Sequence, residues 1–421
     1  MEFTKSGGNR KPVTIAVVGA GLRGQQYARL AEASGAGRVV AVAEPDAGRR
    51  AAFAARHDVA AAFTTWEDLA AAGRIADVAV VATQDRLHVG PAVALAGLGY
   101  HLLLEKPMAP TEAEARRIAD AVAAAGVIGA VCHVLRYTSY TRALRALLTS
   151  GRIGALVSVQ HLEPVGWWHQ AHSFVRGNWR READSGPMLL TKSCHDLDWL
   201  AYVVGAAPRS VASFGGLAHF RPEHRPAGAG ERCVACAVEA ACPYSAVRLY
   251  TRCLDDAEEW PLNAVTTGRT HEAVLLALRD GPYGRCVYGC DNDVVDHQVV
   301  ALQYDSGVTA TFTMTAFTPM QRRQTRLFGT HGSVDGDGRL LRVTDFRTGA
   351  AETIDTQEGD GGAHAGAGHD GGDASLVAAF LAAVAAGDPA LLSSDMATSL
   401  ASHRVVWAAE RARTAHTVVT L

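Results

Sequence analysis

Residues 14–24 read TIAVVGAGLRG, an apolar, β-branched run followed at once by three glycines in the spacing G-x-G-x-x-G. The run predicts a buried parallel strand, and a helix follows the last glycine. In this context Gly19 makes a tight turn, Gly21 lets the backbone approach a pyrophosphate, and Gly24 lets the helix pack close to the strand. The helix N-terminus offers free N–H groups to phosphates. The stretch predicts a dinucleotide site that contacts Gly19, Gly21, Leu22, Arg23 and Gly24.

Two further features predict where the cofactor lies. A second apolar run ends in Glu44, at the place where a carboxylate binds the ribose hydroxyls of an adenosine nucleotide. Glu44 favours NAD over NADP, although Arg49 and Arg50 lie nearby and could accept a 2′-phosphate. A later segment begins at Thr83 and ends at His88, and it follows a predicted strand at the sheet edge where α/β folds bind ligands. We therefore expect both of these residues at the cofactor.

The composition of the 421-residue chain is typical of a soluble enzyme with two domains, since 48% of its residues are hydrophobic and 20% are charged. The net charge is −3 and no basic block stands out, which argues against nucleic acid as a partner. No apolar stretch has the length of a membrane span, and residues 1–11 lack an apolar signal segment. We expect a cytoplasmic protein without a membrane partner. Eight cysteines in a chain of this size do not indicate a disulfide scaffold.

The predicted fold class is α/β, with an N-terminal Rossmann domain at residues 1–132 and a C-terminal α+β domain at residues 133–421. The first has a doubly wound parallel sheet and the second a largely antiparallel open sheet, interrupted by a cysteine-rich insertion at about residues 215–290. The predicted strands of the first domain are Val13–Val18, Arg38–Ala43, Val78–Ala82, His101–Leu104 and Ile128–Cys132. Its predicted helices are Gln25–Ser34, Ala47–His57, Trp66–Ala71, Val89–Leu98 and Glu112–Ala125.

In the second domain, a hairpin is predicted around Asp305-Ser306-Gly307, between two strands of alternating polarity. Residues 215–290 and 357–373 are predicted to be irregular, because they are rich in turn-forming residues. The predicted strands are Ala155–Leu162, Val294–Tyr304 and Val308–Met314, and the predicted helices are Ala374–Ala386 and Met396–Thr414.

Two motifs later in the chain carry a family resemblance: Glu105-Lys106-Pro107, and residues 192–198, which read KSCHDLD. With residues 19–24 they resemble the Gfo/Idh/MocA family of glucose–fructose oxidoreductases, inositol dehydrogenases and rhizopine-catabolism proteins, over nearly the whole chain. The resemblance implies a domain that binds NAD or NADP, and a sheet domain with the substrate pocket and a dimer or tetramer interface. Most members oxidise or reduce sugars, inositols and related polyols. A minority use bound NAD transiently to cleave glycosidic bonds.

The resemblance also implies roles for single residues. Lys106 corresponds to the active-site lysine, whose ammonium points at the reacting hydroxyl near the nicotinamide, and Glu105 and Lys106 are both expected at the cofactor. Arg136 and Tyr137 lie where members often have an Asn or Arg and an aromatic residue near the substrate. We therefore include this pair among the expected substrate-binding residues.

The family pattern Asp-x-Gly-x-His-x-x-Asp is matched only in part. His195 and Asp198 match its histidine and last aspartate, whereas Thr191 and Ser193 replace its first aspartate and its glycine. This departure indicates a different subfamily and leaves the proton-transfer chain open. If Leu189–Ala201 forms one helix, Thr191, His195 and Asp198 share one face. We expect Thr191 and Asp198 to contact the substrate.

Hydride transfer from a secondary alcohol requires a base within hydrogen-bond reach of the hydroxyl. The unperturbed pKa of histidine is about 6.5, so an imidazole such as that of His195 is mostly neutral at pH 7 and can accept a proton. Lys106 and Lys192 start near a pKa of about 10.4 and need burial or another cation to approach neutrality. We assign His195 as the base, Lys106 as the group that polarises the hydroxyl, and Lys192 as a third catalytic candidate. The alternative for His195 is a structural role in a packed interface. The alternative for Lys192 is an ordinary ion pair with Asp196.

Residues 166–180 read GWWHQAHSFVRGNWR and combine aromatic rings with hydrogen-bond donors. The axial C–H groups of a pyranose pack on indole rings, and its hydroxyls take polar partners. The stretch predicts one wall of a carbohydrate pocket. A protein–protein interface is the alternative, because Trp and Arg are common anchors there. The expected substrate-binding residues of this stretch are Trp168, His169, His172, Arg176 and Trp179.

Residues 231–243 read ERCVACAVEAACP, with cysteines in the spacing C-x2-C-x5-C. A C-x2-C pair places two thiolates on one metal ion, and tetrahedral zinc needs two more ligands. We predict a structural zinc that stabilises a loop-rich insertion of little apolar content. An iron–sulfur cluster fits this spacing less well, and free reduced cysteines are the third possibility. The predicted zinc ligands are Cys233, Cys236, Cys242 and Cys286.

The leading hypothesis for function is an NAD-dependent oxidoreductase that oxidises a ring secondary hydroxyl of a sugar, glycoside or inositol to a ketone. The alternative is a redox glycosidase, which oxidises the ring transiently, eliminates the aglycone, adds water and returns the hydride. A non-catalytic sugar or cofactor sensor is the third hypothesis. It predicts loss of the lysine or the histidine, yet Lys106 and His195 are both present.

Overall fold

The computed structural model describes residues 11–256, 260–357 and 371–421. The described residues within Met1–Arg142 and Gln357–His403 form one compact unit, and those within Ala143–Thr356 and Arg404–Leu421 form another. Most of the glycine-rich region predicted at residues 357–373 lies outside the described residues. No helix in the described part of the chain has the length and apolar character needed to cross a membrane.

The first unit contains a 6-stranded parallel sheet with the order β3-β2-β1-β4-β5-β6. Its inner strands are Val-rich and buried on both faces, as a sheet covered by helices on both sides requires. The strand order reverses between β1 and β4, and ligands bind beside such a switch point in doubly wound folds. The strands are β1 (Val13–Val18), β2 (Gly37–Ala43), β3 (Ala61–Phe63), β4 (Val78–Val81), β5 (His101–Leu104) and β6 (Gly129–Val131).

The second unit contains a 9-stranded sheet with the order β14-β13-β12-β11-β7-β10-β9-β8-β15. β7 and β10 pair in parallel, and the other neighbours pair antiparallel. The predicted hairpin is confirmed, since β9 and β10 pair around Gly307, whose φ is +86°. The strands are β7 (Leu156–Pro164), β8 (Pro208–Gly216), β9 (His297–Tyr304), β10 (Thr309–Thr315), β11 (Gln324–Gly329), β12 (Gly332–Gly336), β13 (Leu340–Asp345), β14 (Ala351–Asp355) and β15 (Val419–Thr420).

Helices connect and cover the strands of both units. Side chains cap some of the helix N-termini in the first unit; the Thr111 hydroxyl, for example, accepts the N–H of Glu114. A π-helix at Gln170–Arg176 follows α7 directly. The helices are α1 (Leu22–Ala33), α2 (Ala47–Arg56), α3 (Trp66–Ala71), α4 (Val89–Gly97), α5 (Glu112–Ala125), α6 (Ser139–Thr149), α7 (Trp167–His169), α8 (Glu182–Ser185), α9 (Met188–Thr191), α10 (Cys194–Val204), α11 (Ala246–Arg252), α12 (His271–Asp280), α13 (Gly372–Ala386) and α14 (Met396–Ala415).

The prediction that residues 215–290 are irregular with little apolar content is wrong. Helices α11 and α12 lie within this region, and Leu249, Tyr250, Val274 and Leu278 are buried together between them and their neighbours. The region therefore has a small apolar core of its own.

Candidate active site

The glycine-rich turn after β1 has the geometry that its sequence predicts. Gly19 has a φ of +93°, and a Cβ there would lie 2.7 Å from the carbonyl oxygen of Ala82. A Cβ on Gly24 would overlap the carbonyl oxygen of Gly19. By contrast, a Cβ on Gly21 would have no described atom within 4 Å apart from those of its neighbours along the chain. The turn and the close helix packing are thus confirmed, and the backbone at Gly21 is left accessible to a ligand.

A buried carboxylate links the start of α1 to the end of β5. Glu105 accepts a hydrogen bond of 2.8 Å from the Tyr27 hydroxyl and one of 2.6 Å from the backbone N–H of Lys106. Arg23 forms ion pairs with Glu105 and with Asp373. Burial alone would raise the pKa of Glu105, but the positive charges of Arg23 and Lys106 outweigh it and lower that pKa. Glu105 therefore stays ionised and fixes the backbone at Lys106.

The chain turns directly after Lys106, and His88 holds this turn. The Lys106–Pro107 peptide bond is cis. The ring of His88 is fully buried, with Nδ1 at 2.9 Å from the Pro107 carbonyl oxygen and Nε2 at 3.1 Å from that of Thr83. The Thr83 hydroxyl oxygen is itself buried and has no hydrogen-bond partner among the described residues. His88 therefore positions the turn, while Thr83 keeps a polar atom for a further partner.

Glu44 lies at the end of β2 and is 4% exposed. Its carboxylate accepts the backbone N–H of Ala20 at 2.9 Å, so it also braces the glycine-rich turn. Arg49 forms an ion pair of 2.9 Å with the same carboxylate, and Arg50 donates to the backbone oxygen of Glu44 at 2.6 Å. Both arginines that could accept a 2′-phosphate are thereby bound to Glu44.

In the second unit, residues 189–201 do not form the one continuous helix on which a shared face of Thr191, His195 and Asp198 depends. Helix α9 ends at Thr191, and α10 begins at Cys194. Ser193 between them has φ −109° and ψ +13°, outside the helical range, and its hydroxyl donates to the sulfur of Met314 at 3.2 Å. Thr191 therefore does not share a helix face with His195 and Asp198. The latter two are buried on α10.

Lys192 lies in this interruption, and the i, i+4 ion pair with Asp196, the alternative to a catalytic role, does not form. Its ammonium pairs instead with Glu163 at the end of β7, at 3.2 Å. Arg323 lies between the two carboxylates, because it pairs with Glu163 at 2.9 Å and with Asp196. Side chains alternate between the two faces of β7, and His161 and Glu163 lie on its buried face. Two polar residues spaced two apart at the end of a predicted strand could have indicated this buried polar site from the sequence.

Asp196, directly after His195, anchors the first turn of α10. It also accepts from His161 Nε2 at 3.2 Å, and the His161 ring stacks on Trp199 with a centroid distance of 4.6 Å. Burial would raise the pKa of Asp196, but Arg323 and His161 together hold it well below its usual range. The charged Asp196 thus fixes the part of the helix that carries His195.

Comparison with known proteins gives the family. The profile described as "Oxidoreductase family, NAD-binding Rossmann fold" matches residues 13–133, and "Oxidoreductase family, C-terminal alpha/beta domain" matches residues 145–390. The chain belongs to the Gfo/Idh/MocA oxidoreductase family. The family resemblance and the fold class inferred from the sequence are therefore confirmed.

Two curated relatives and one solved structure illustrate the similarity. A 1,5-anhydro-D-fructose reductase of Ensifer adhaerens is 31% identical over 42% of this chain and 52% of its own length. A 2,7-anhydro-N-acetylneuraminate hydratase of Escherichia coli is 26% identical over 50% of this chain and 55% of its own length. The chain thus spans just over half the length of these relatives. A levoglucosan dehydrogenase in complex with NADH and levoglucosan has the same fold, with 18% identity, a TM-score of 0.72 and coverage of 97% and 99%.

Within this Gfo/Idh/MocA fold, Arg136 and Tyr137 are structural neighbours of the 393–394 segment. Both are buried. Arg136 donates to the Ser393 carbonyl oxygen, and the Tyr137 hydroxyl lies 3.0 Å from that of Ser394. They hold two distant parts of the first unit together.

The aromatic residues of the predicted wall come together only in part. The rings of Trp168, His169 and His172 all contact Trp260, with centroid distances of 5.4, 5.1 and 5.6 Å. Trp260 is a member of this cluster that the sequence interpretation missed, because it is remote in the chain and stands in no motif. Trp179 is 39% exposed and contacts Phe174 instead.

No disulfide bond joins any of the eight cysteines, all of which lie in the described ranges. Cys233, Cys236, Cys242 and Cys286 line one small cavity, together with Arg176. Arg176, predicted at the substrate, thus faces the cysteines. Over the described ranges, no three His, Cys, Asp or Glu side chains converge closely enough to hold a metal ion. The geometry therefore does not support the predicted structural zinc.

Proposed function

We propose that the protein is an NAD-dependent oxidoreductase that oxidises a ring secondary hydroxyl of a carbohydrate to a ketone. The C–H bond of the carbinol gives up its hydrogen with the electron pair, and the O–H bond gives up its proton to a base. The main support for the proposal is that Glu105 connects the glycine-rich turn to Lys106. Glu105 forms an ion pair with Arg23, in the helix that follows the turn, and accepts the backbone N–H of Lys106. This connection puts the family lysine at the carboxyl edge of the parallel sheet, where this fold binds its ligands.

The residues around the glycine-rich turn fit NAD. Gly21 leaves its backbone open, Thr83 holds a buried hydroxyl without a described partner, and Glu44 offers a carboxylate at the end of β2. When bound, NAD supplies a hydride acceptor at the nicotinamide C4. Because Arg49 and Arg50 are already bound to Glu44, the site favours NAD over NADP. Leu22, Arg23 and Gly24 complete the expected cofactor contacts.

Lys106 and His195 have different roles in the proposal. The ammonium of Lys106 binds and polarises the hydroxyl, which lowers the cost of removing its proton. His195 accepts the proton, and Asp196, clamped by Arg323, fixes the helical turn that carries it. Lys192 is bound to Glu163, so we assign it a positioning role at the helix interruption. Thr191 and Asp198 remain proposed substrate contacts.

The proposed substrate class rests on chemistry and on relatives. Trp168, His169 and His172 gather around Trp260 and present aromatic faces with polar edges, as a pyranose ring prefers. The reductase similar to this chain is named for an anhydro sugar. A sugar, glycoside or inositol is therefore the substrate class we favour.

The experiment that tests this proposal compares Lys106→Ala with the wild type on a panel of carbohydrates, with NADH formation as the readout. We expect turnover to fall by about 10²–10³-fold or more, because one polarising group is removed, while the affinity for NAD stays within about threefold. Lys11→Ala, at an exposed position, is the matched control and should keep full activity. Near wild-type turnover by Lys106→Ala would refute the assigned role.

A second candidate function is favoured by the similar hydratase, whose name describes the addition of water. On this alternative the chain is a redox glycosidase, which returns the hydride to the ring after the aglycone has left. The two functions differ in stoichiometry, because only the dehydrogenase consumes one NAD for each product.

A further inference from the structure

The cysteine cavity of the second unit is built by separate segments of the chain. Cys233 and Cys242 flank two short 3-10 turns, and Cys236 lies between them. An antiparallel bridge between Arg232 and Arg285 then brings the Cys286 segment alongside, and the Cys286 N–H donates to the Glu231 carbonyl oxygen at 2.8 Å. The fold thus gathers at one place four thiols that the proposed dehydrogenase reaction does not use.

The four sulfurs surround a space rather than a point. A single zinc ion needs every sulfur at about 2.3 Å from itself, and in the described part of the chain no such convergence exists. The centre of a water molecule could move through about 20 Å³ of this cavity. A site for one water needs only roughly 10–15 Å³ by the same measure, so an open space, and not close packing, lies between the cysteines.

A buried positive charge faces the same cavity. Arg176 is 1% exposed and donates to the carbonyl oxygens of Arg285 and Tyr244, each at 2.8 Å, and to the Cys233 sulfur at 3.5 Å. Among the residues that the structure describes, no carboxylate pairs with Arg176, and its Nη1 has no acceptor. A buried charge without a counter-charge destabilises a fold. Glu239 also lines the cavity, but its carboxylate accepts from the Ser245 hydroxyl and does not pair with Arg176. Arg176 therefore favours a further negatively charged group in the cavity.

The sulfurs also receive hydrogen bonds from the backbone. The N–H of Gly230 donates to the Cys236 sulfur at 3.3 Å, and that of Ala246 to the Cys233 sulfur at 3.5 Å. N–H donors of this kind stabilise thiolates that bind iron–sulfur clusters and help to set the potential of the cluster.

We propose that Cys233, Cys236, Cys242 and Cys286 bind an iron–sulfur cluster in this cavity. A cluster with its four thiolate ligands carries a net negative charge, which the positive charge of Arg176 would stabilise. A cluster would also fill the space between the four sulfurs, whereas a single metal ion would not. Bound there, it ties the 3-10 turns to the Cys286 segment and stabilises the insertion. This inference is independent of the proposed dehydrogenase reaction.

The first test counts metals in the whole chain purified without oxygen, and again after incubation with ferrous iron, sulfide and a thiol reductant. We expect iron and acid-labile sulfide in equal amounts, about two to four of each per chain, with a visible absorption band that dithionite bleaches. One zinc per chain without sulfide would overturn the proposal. A chain that retains neither iron nor sulfide after the incubation would overturn it as well.

The second test compares Cys242→Ser with Cys253→Ser under the same incubation. Cys253 is also buried, but it does not line the cavity, and its thiol donates to the Leu249 carbonyl oxygen at 3.2 Å. We expect Cys242→Ser to lose most of its iron, at least threefold against the wild type, and Cys253→Ser to keep it. Equal iron content in both variants contradicts the assignment. The metal count of the wild type decides the proposal even where a variant fails to fold.

Discussion

The Tyr27 hydroxyl donates a hydrogen bond of 2.8 Å to the Glu105 carboxylate, which also accepts the backbone N–H of Lys106. One buried carboxylate thereby couples the helix after the glycine-rich turn to the strand end that carries the family lysine. The proposed cofactor site and Lys106, the proposed catalytic lysine, are thus connected through one buried carboxylate.

Glu105→Gln should destabilise the protein by about 1–3 kcal/mol, because it removes the charge that pairs with Arg23 and turns one acceptor oxygen into a donor. Urea unfolding of the wild type and the variant measures this change. Glu67→Gln, at an exposed position on α3, is the control and should stay within about 0.5 kcal/mol. Equal stability of Glu105→Gln and the control would show that the carboxylate is not needed.

Glu44→Gln should weaken NAD binding by about ten- to 100-fold, because a hydrogen bond to a charged group contributes about 1.5–3 kcal/mol. The affinity for NADP should change less, since the repulsion between the carboxylate and a 2′-phosphate is removed at the same time. Titration of both nucleotides by calorimetry measures the two dissociation constants. Circular dichroism controls for the fold, because Glu44 also braces Ala20. Unchanged NAD affinity would contradict the ribose role.

Asp196 should make stability depend on acid pH. Its pKa lies lower in the folded chain than the value of about 3.9 in an unfolded one, so the ionised group stabilises the fold above about pH 4. This contribution is lost as the pH falls through the folded pKa. Asp196→Asn should therefore be less stable by about 3 kcal/mol at neutral pH, and the difference should shrink in acid.

The measurement is urea unfolding of the wild type and Asp196→Asn at neutral pH and at about pH 3. Asp58→Asn is the matched control, since Asp58 is exposed and has a φ of +50°, which Asn also tolerates. We expect this control to differ from the wild type by less than about 0.5 kcal/mol at both pH values. A difference for Asp196→Asn that is the same at both pH values would contradict the ion pair with Arg323.

Much of the first unit could be predicted from the sequence. Strands such as Val13–Val18 are buried on both faces and read as continuous apolar runs. At Gly19 and Gly24 a Cβ would clash with the backbone, so the turn requires glycine at these two positions. The short edge strand Ala61–Phe63 was missed, because three residues carry no periodic pattern. The homo-oligomer and the cytoplasmic location stay predictions.

The site in the second unit could be predicted only in outline. The motif around His195 was recognisable, but the interruption of the helix at Lys192 depends on Glu163 and Arg323, which lie on other elements. Helix periodicity describes only near neighbours in the chain and contains no information on such contacts. The same holds for Trp260 and for the position of Arg176 beside the cysteines.

The measurement that tests the central claim most directly is mass spectrometry of a panel of free sugars, inositols and glycosides, incubated with the protein and a small, known amount of NAD. The account predicts a product lighter by two hydrogens, in an amount that does not exceed the NAD supplied. Release of aglycone beyond that amount, with no net oxidation of the sugar, would contradict it and indicate a redox glycosidase.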